Sequence, residues 1–123
     1  MLVFSVQLYI AAHAQNCNSQ RYQDTIFHDV TISTFKFGTA TPFGLLAQLQ
    51  DLYLDIYEPA GDTLSKRPII VFQFGGGFTI GWRSEPVIPQ FCDYFAKCGY
   101  VVASIDYRIG LNPADTNSTV RAY

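Results

Sequence analysis

Three consecutive glycines, Gly75, Gly76 and Gly77, are the residues of this 123-residue chain whose type and spacing point most clearly to chemistry. Glycine has no Cβ, so a run of glycines turns tightly and leaves backbone N–H groups open to an approaching atom. Such N–H groups bind negative charge in two settings: they cradle a phosphate before a helix, or they stabilise the oxyanion formed during acyl transfer. The third interpretation is a plain tight turn.

The phosphate interpretation draws support from Asp106, which follows the next predicted strand, where a dinucleotide-binding fold has its ribose-binding acid. The spacing argues against it. A Gly-x-Gly-x-x-Gly motif beginning at Gly75 needs glycine at position 80, which is Ile80. Pro86 and Pro89 delay the helix by about ten residues after the glycines, and there is no Gly-Lys-Ser/Thr of a P-loop. A nucleotide-binding βαβ module is therefore the weaker alternative.

The glycines lie inside a strand, loop, helix, strand pattern. Residues 69–74 are nearly continuous in apolar and β-branched residues, which predicts a strand buried on both faces of a parallel sheet. Residues 88–98 repeat apolar side chains every three or four positions, which predicts an amphipathic helix with Pro89 in its first turn and Gly99 as its C-terminal cap. Residues 100–105 predict another buried strand, so the segment forms one right-handed βαβ unit.

Two alternating segments precede this unit. Residues 29–37 and 52–57 alternate apolar and polar side chains, which predicts two half-buried strands. A turn predicted over residues 38–44, which include Pro42, separates them, so we expect the pair to be antiparallel. The predicted fold class is α/β: an antiparallel strand pair followed by a βαβ unit of a mostly parallel sheet.

The segment RPIIVFQFGGGFTIG, residues 67–81, resembles the strand and His-Gly-Gly-Gly-Phe loop of α/β-hydrolase carboxylesterases and lipases. Residues 99–110, which contain DYRIG, are similar to the strand that follows in that family, and LYLDIYEP at residues 52–59 to the strand before it. The resemblance covers about residues 50–110. It implies the incomplete N-terminal part of an α/β-hydrolase fold, whose glycine loop supplies N–H groups to the oxyanion hole.

By this resemblance Gly76 and Gly77 are the oxyanion-hole donors, and Gly75 shapes the loop beside the substrate. By analogy with apolar pocket linings, we expect Phe78 to contact the acyl group. The implied substrate is a small-molecule ester, and neither a cofactor nor a metal is implied. The sequence departs from the family pattern at Phe74, which stands where the family has His. That change keeps the backbone donors and alters how the loop is held, and we interpret the ring as a core aromatic.

The other groups that acyl transfer needs are absent from the sequence. In this family a Gly-x-Ser-x-Gly elbow is followed by an acid and then a histidine. No serine here has glycine two residues away on each side, and the two histidines of the sequence, His13 and His28, both precede the predicted βαβ unit. We therefore expect an N-terminal segment of a serine esterase or lipase-like hydrolase, inactive alone, with Ser, acid and His beyond residue 123. A non-catalytic binding relative, motivated by Phe74, is the alternative.

The N-terminus predicts export. Residues 2–12 are uncharged and mostly apolar, and Ala12-His13-Ala14 fits a signal-peptidase site, so we expect cleavage after Ala14 and a secreted or periplasmic protein. Residues 15–123 then form the hydrolase portion. The apolar segment is too short for a stable membrane anchor, which needs roughly 20 residues. The net charge of -2 gives no electrostatic footprint for nucleic acid.

The remaining polar and sulfur-containing residues have structural interpretations. Cys17, Cys92 and Cys98 include no Cys-x-x-Cys pair, so neither a zinc site nor a redox motif is predicted. Cys92 and Cys98 point away from each other on the predicted helix and are expected to be buried as small apolar residues. We expect Asp106 and Arg108 to fix a loop by an ion pair.

Overall fold

A computed structural model describes residues 20–42 and 48–110. In chain order they form strand β1 (Val30–Ala40), strand β2 (Gln50–Pro59), strand β3 (Ile69–Gln73), helix α1 (Ile88–Lys97) and strand β4 (Val101–Ile105). This is an α/β arrangement of a mixed four-stranded sheet and one helix within the described ranges. The predicted signal peptide and Cys17 lie outside the described residues.

The antiparallel strand pair is present as predicted. β1 and β2 run from Val30 opposite Pro59 to Ala40 opposite Gln50, and the register shifts between Lys36 and Gly38. β1 therefore continues past Gly38, where the sequence predicted a turn. The glycine marks an irregularity in the ladder, which is a common role for a single glycine inside a strand.

The predicted βαβ unit is also present. β3 and β4 pair in parallel from Ile69 opposite Val101 to Gln73 opposite Ile105, with α1 between them in the chain. β4 pairs on its other side with β2, antiparallel, so the strand order is β1-β2-β4-β3. β4 is thus an inner strand, and the carboxyl ends of β3 and β4 meet at one edge of the sheet.

The burial of the two parallel strands differs from the prediction. In β4, Val102 and Ser104 are fully buried. In β3, Ile69 and Val71 are 60% and 55% exposed, so the prediction of a strand buried on both faces is wrong. The apolar run identifies β3 as a strand, but burial depends on neighbours, and within the described residues β3 lies at the end of the sheet.

The core lies between α1 and one face of the sheet. It is formed by six buried residues: Tyr57, Phe74, Ile88, Cys92, Ala96 and Val102. α1 begins with the predicted proline in its first turn, and Gly99 follows its C-terminal cap with a φ of +105°. Both helix-end predictions are confirmed.

Cys92 and Cys98 are buried free thiols, as predicted. Burial raises the pKa of the Cys92 thiol to about 11. Since the thiolate is the nucleophile, Cys92 should behave as an inert core residue at neutral pH.

We expect iodoacetamide at pH 8 to alkylate Cys92 in the folded protein at least about a hundredfold more slowly than in urea, because only about one thiol in a thousand is ionised at that pKa and the sulfur is shielded. Peptide mass spectrometry after timed quenching measures both rates. Similar rates in the folded and unfolded chain would contradict the burial of Cys92.

Candidate functional site

The glycine loop connects β3 to α1 at the carboxyl end of the parallel strands. One residue, Phe74, separates Gly75 from the end of β3 at Gln73. Residues 75–80 are all exposed. Asp106 follows β4 at the same edge of the sheet. In α/β sheets ligands bind outside the carboxyl ends of the strands, so the loop occupies a position suited to binding.

The conformation of the loop depends on glycine at two positions. Gly76 and Gly77 have φ values of +122° and +61°. A Cβ on Gly76 would lie 1.9 Å from the carbonyl oxygen of Ile80, whereas one on Gly77 would meet no atom within 4 Å. The carbonyl oxygen of Gly76 accepts hydrogen bonds from Thr79, from its backbone N–H at 3.1 Å and from its hydroxyl at 2.9 Å. Residues 76–80 therefore form a closed turn.

The glycine amides of this loop are unpaired within the described residues, and those of Gly76 and Gly77 are the predicted donors. Within the described residues, the backbone N–H groups of Gly75, Gly76 and Gly77 donate no hydrogen bond. The carbonyl groups of Gly76 and Phe78 are engaged, the first by Thr79 and the second by the N–H of Gly110 at 2.6 Å. The turn thus presents exposed, unpaired donors, which is the chemical property that an anion-binding loop needs.

Phe78 lies on the exposed side of the same turn. Its side chain is among the exposed large apolar residues, at 45%, and its φ is +60°. Its ring meets the ring of Tyr107 edge to face, with centroids 5.6 Å apart. The predicted contact with an acyl group stays a prediction.

Phe74 is a core residue, as predicted. It is 5% exposed, and its ring stacks on that of Tyr107 with centroids 4.2 Å apart. The Tyr107 hydroxyl donates a hydrogen bond of 2.8 Å to the Phe74 carbonyl oxygen. Gly81 packs directly on the ring, because a Cβ there would lie 2.4 Å from Phe74 Cδ2. Ring packing and the tyrosine hydroxyl therefore hold the start of the loop.

Arg83 holds the other end of the loop, and sequence reasoning missed this role. Its Nε donates to Asp55 Oδ2 at 2.8 Å, and its Nη1 donates to Asp106 Oδ2 at 2.9 Å. The predicted ion pair between Asp106 and Arg108 is wrong, because the Asp106 carboxylate pairs with Arg83. Partial burial opposes the charged form, but the two carboxylates outweigh it and raise the pKa of Arg83 above its usual value.

The backbone of Arg83 is fixed as well as its side chain. Its N–H donates to Asp106 Oδ1 at 3.3 Å, and its carbonyl oxygen accepts the Ser104 hydroxyl at 2.7 Å. Asp106 also accepts the backbone N–H of Tyr53 at 3.1 Å, and the guanidinium lies 5.3 Å from the centre of the Tyr53 ring. The loop is thereby joined to both β2 and β4.

Other surface features lie apart from the glycines. A groove of about 370 Å³ is lined by residues at the start and along the outer side of α1: Val87, Gln90, Phe91, Tyr94 and Phe95. Within the part of the chain that the structure describes, no cluster of three or more His, Cys, Asp or Glu side chains could hold a metal ion. No helix in the same ranges has the length and apolarity to cross a membrane.

Comparison with known proteins places the chain in a family. The model of the BD-FAE family matches residues 54–117, which is more than half of the chain, and the chain belongs to this family of α/β-hydrolase-like esterase domains. The chain is also 36% identical over 75 residues to the cAMP-regulated D2 protein of Dictyostelium discoideum. That match covers 60% of this chain and 13% of the relative. No solved structure matches the chain.

The family match covers β4, α1 and the glycine loop. It confirms the resemblance to α/β-hydrolases at the level of an esterase-like domain. It also favours an esterase-like function over the nucleotide-binding alternative.

Replacing Gly76 by Ala should lower the free energy of unfolding by about 1–3 kcal/mol, because the new Cβ meets a backbone oxygen and φ lies in the left-handed region. Gly75→Ala is the matched control, since its Cβ meets no atom within 4 Å, and it should change stability by less than about 0.5 kcal/mol. Urea unfolding followed by circular dichroism compares the two variants. Equal midpoints would contradict the conformation described for the turn.

Proposed function

We propose that this chain supplies the oxyanion-hole loop of a carboxylic ester hydrolase, with the backbone N–H groups of Gly76 and Gly77 as donors. The observation that carries the proposal is the exposed run of three glycines whose N–H groups are unpaired within the described residues. It lies in a chain that belongs to an esterase family. A turn that only reversed the chain direction would not need consecutive unpaired donors at the carboxyl ends of two parallel strands.

The donors act on charge that develops during the reaction. When a serine oxygen attacks an ester carbonyl carbon, a base takes the serine proton and the carbonyl electron pair moves onto oxygen. The negative oxygen accepts hydrogen bonds from the N–H groups far more strongly than the neutral carbonyl does, which lowers the barrier. Collapse of this intermediate re-forms the carbonyl and expels the alcohol, which takes up the proton from the base.

The nucleophile and base come from outside this sequence in our proposal. The chain contains no Gly-x-Ser-x-Gly motif, and it spans 13% of the length of the curated relative that it matches. We therefore propose that these residues belong to a longer hydrolase and that the chain alone does not turn over esters. Export, with cleavage after Ala14, is part of the same proposal.

The substrate in this proposal is a small ester, recognised without a cofactor. Phe78 follows the donors directly in the chain and is exposed, so it is the described residue best placed to contact an acyl group. Gly75, which precedes the donors and has space around its Cα, lets the ester approach the loop. Both roles follow from position beside Gly76 and Gly77.

A second candidate is a binding protein that retains the hydrolase fold without catalysis. The replacement of the family's His by Phe74, and the absence of a nucleophile elbow from the sequence, favour it. A longer parent that has no serine at the elbow position would support this candidate over the enzyme.

The decisive test removes one donor and changes little else. Proline at position 77 is unsuitable, because its φ is fixed near −65° and Gly77 has a φ of +61°. Replacing Gly77 by glycolic acid in the full-length parent exchanges the N–H for an ester oxygen and keeps the backbone shape. We expect kcat for p-nitrophenyl esters to fall by about a hundred- to a thousandfold with little change in KM.

Gly61→glycolic acid is the matched control. Gly61 is an exposed glycine with a φ of +75°, in the turn after β2, and its N–H donates no hydrogen bond within the described ranges. This variant should keep the kcat of the parent. A kcat within a few fold of the parent for the Gly77 variant would show that its N–H is not an oxyanion donor.

A further inference from the structure

We propose that Arg83 is a positioning residue that fixes the position of the amide donors of Gly76 and Gly77. Its guanidinium is held by ion pairs to Asp55 and Asp106. The inference rests on the proposed function and goes beyond it, because it assigns a role in the reaction to a residue that is not itself an oxyanion donor. The described hydrogen bonds of Arg83 go to Asp55, Ser104 and Asp106 and not to the glycines, so its effect on the donors passes through the chain between them.

The first step of the argument is the burial of the ion pairs. The side chains of Arg83, Asp55 and Asp106 are 24%, 10% and 11% exposed, so water screens them little. Exposed ion pairs contribute little and fluctuate. A guanidinium that donates from two different nitrogens to two buried carboxylates has a fixed orientation.

The second step is the alignment of the acceptors on one face of the sheet. Asp55 lies opposite Ser104 in the β2–β4 ladder, and opposite residues share a face. Asp106 is two residues beyond Ser104 and shares that face by strand alternation. All three side chains contact Arg83. The sheet itself therefore dictates the position of Arg83.

The third step joins Arg83 to the donors. The closed turn at residues 76–80 is held by the bonds from Thr79 to the Gly76 carbonyl, and Ile80 lies against Gly76. Gly81 then packs on the buried Phe74 ring, and Arg83 follows two residues later. No long flexible segment separates Arg83 from the turn, so a displacement of Arg83 moves the plane of the donor amides.

The positioning role and a purely structural role predict different kinetics. If Arg83 only stabilises the fold, a folded variant keeps kcat and loses only thermal stability. If Arg83 positions the donors, a folded variant loses kcat, because the oxyanion is more sensitive to donor placement than the substrate carbonyl is. KM then changes little.

The test uses the full-length parent with Arg83→Met, Arg83→Lys and the control Lys97→Met. Lys97 also pairs with a carboxylate, that of Asp93 one helical turn away on α1, so its loss removes a charge without touching the loop. For p-nitrophenyl butyrate at a temperature where all variants are folded, we expect Arg83→Met to lower kcat about 10- to 100-fold, with KM within about threefold.

The conservative variant supplies the second readout. Arg83→Lys keeps the charge but loses the forked geometry that reaches two carboxylates, so it should recover part of the lost kcat. Lys97→Met should match the parent. Arg83→Met leaves two carboxylates unpaired, and if it does not fold, Asp55→Asn replaces it, with an expected loss of about three- to tenfold in kcat because one of the two ion pairs remains.

The outcomes separate the two proposals. A parent that hydrolyses no ester overturns the proposed function and, with it, the role of Arg83. An active parent whose folded Arg83→Met or Asp55→Asn variant keeps kcat within twofold overturns the role of Arg83 alone. Equal losses of kcat in Arg83→Met and Lys97→Met also overturn it, because the effect would then be one of general charge.

Discussion

Two buried carboxylates on neighbouring strands need a cation, and this requirement determines where the glycine loop returns to the sheet. Asp55 and Asp106 lie on one face at the carboxyl end of β4, where two unpaired negative charges would destabilise the fold by several kcal/mol. Arg83 satisfies both carboxylates from a loop that begins in β3. Sheet stability and loop conformation therefore depend on the same contacts.

The other end of the loop is fixed by packing instead of charge. Phe74 continues the buried side of β3 into the core, where it stacks on Tyr107 and accepts the tyrosine hydroxyl at its carbonyl oxygen. Burial raises the pKa of Tyr107 further above the neutral range, in which a tyrosine hydroxyl already keeps its proton and can donate this hydrogen bond. Between these two attachments the Gly76 carbonyl oxygen closes the turn by accepting hydrogen bonds from Thr79, and the N–H groups of the three glycines stay unpaired within the described residues. The Phe74 ring and the Tyr107 hydroxyl together thus fix the start of the loop.

The sequence predicts the parts of this fold that depend on local pattern. Alternation identified β1 and β2, and the helix limits followed from Pro89 and Gly99. Features that depend on strand order were not predictable in the same way. The apolar sequence of β3 predicts a strand buried on both faces, but within the described ranges one face, with Ile69 and Val71, is exposed. The turn expected at Gly38 is an irregularity inside β1.

In the candidate site, too, local features were predictable from the sequence and tertiary contacts were not. The glycines stand out by composition, and their place after β3 follows from the apolar run before them. The partner of Asp106 depends on how β2, β4 and the loop meet, and Arg108, which is near in sequence, was the wrong choice. One signal was available: Asp55 shares a face of β2 with Tyr53 and Tyr57, and a carboxylate that becomes buried beside these rings needs a cationic partner.

The proposed function requires that the N–H groups of Gly76 and Gly77 bind the oxyanion of an ester hydrolysis. The most direct measurement is a crystal structure of the full-length parent with a phosphonate transition-state analogue bound to its nucleophile. Our account predicts that both amide nitrogens lie about 2.7–3.1 Å from one phosphoryl oxygen. An ordered phosphonate whose oxygen lies beyond about 4 Å from both nitrogens, with other donors in their place, would contradict it.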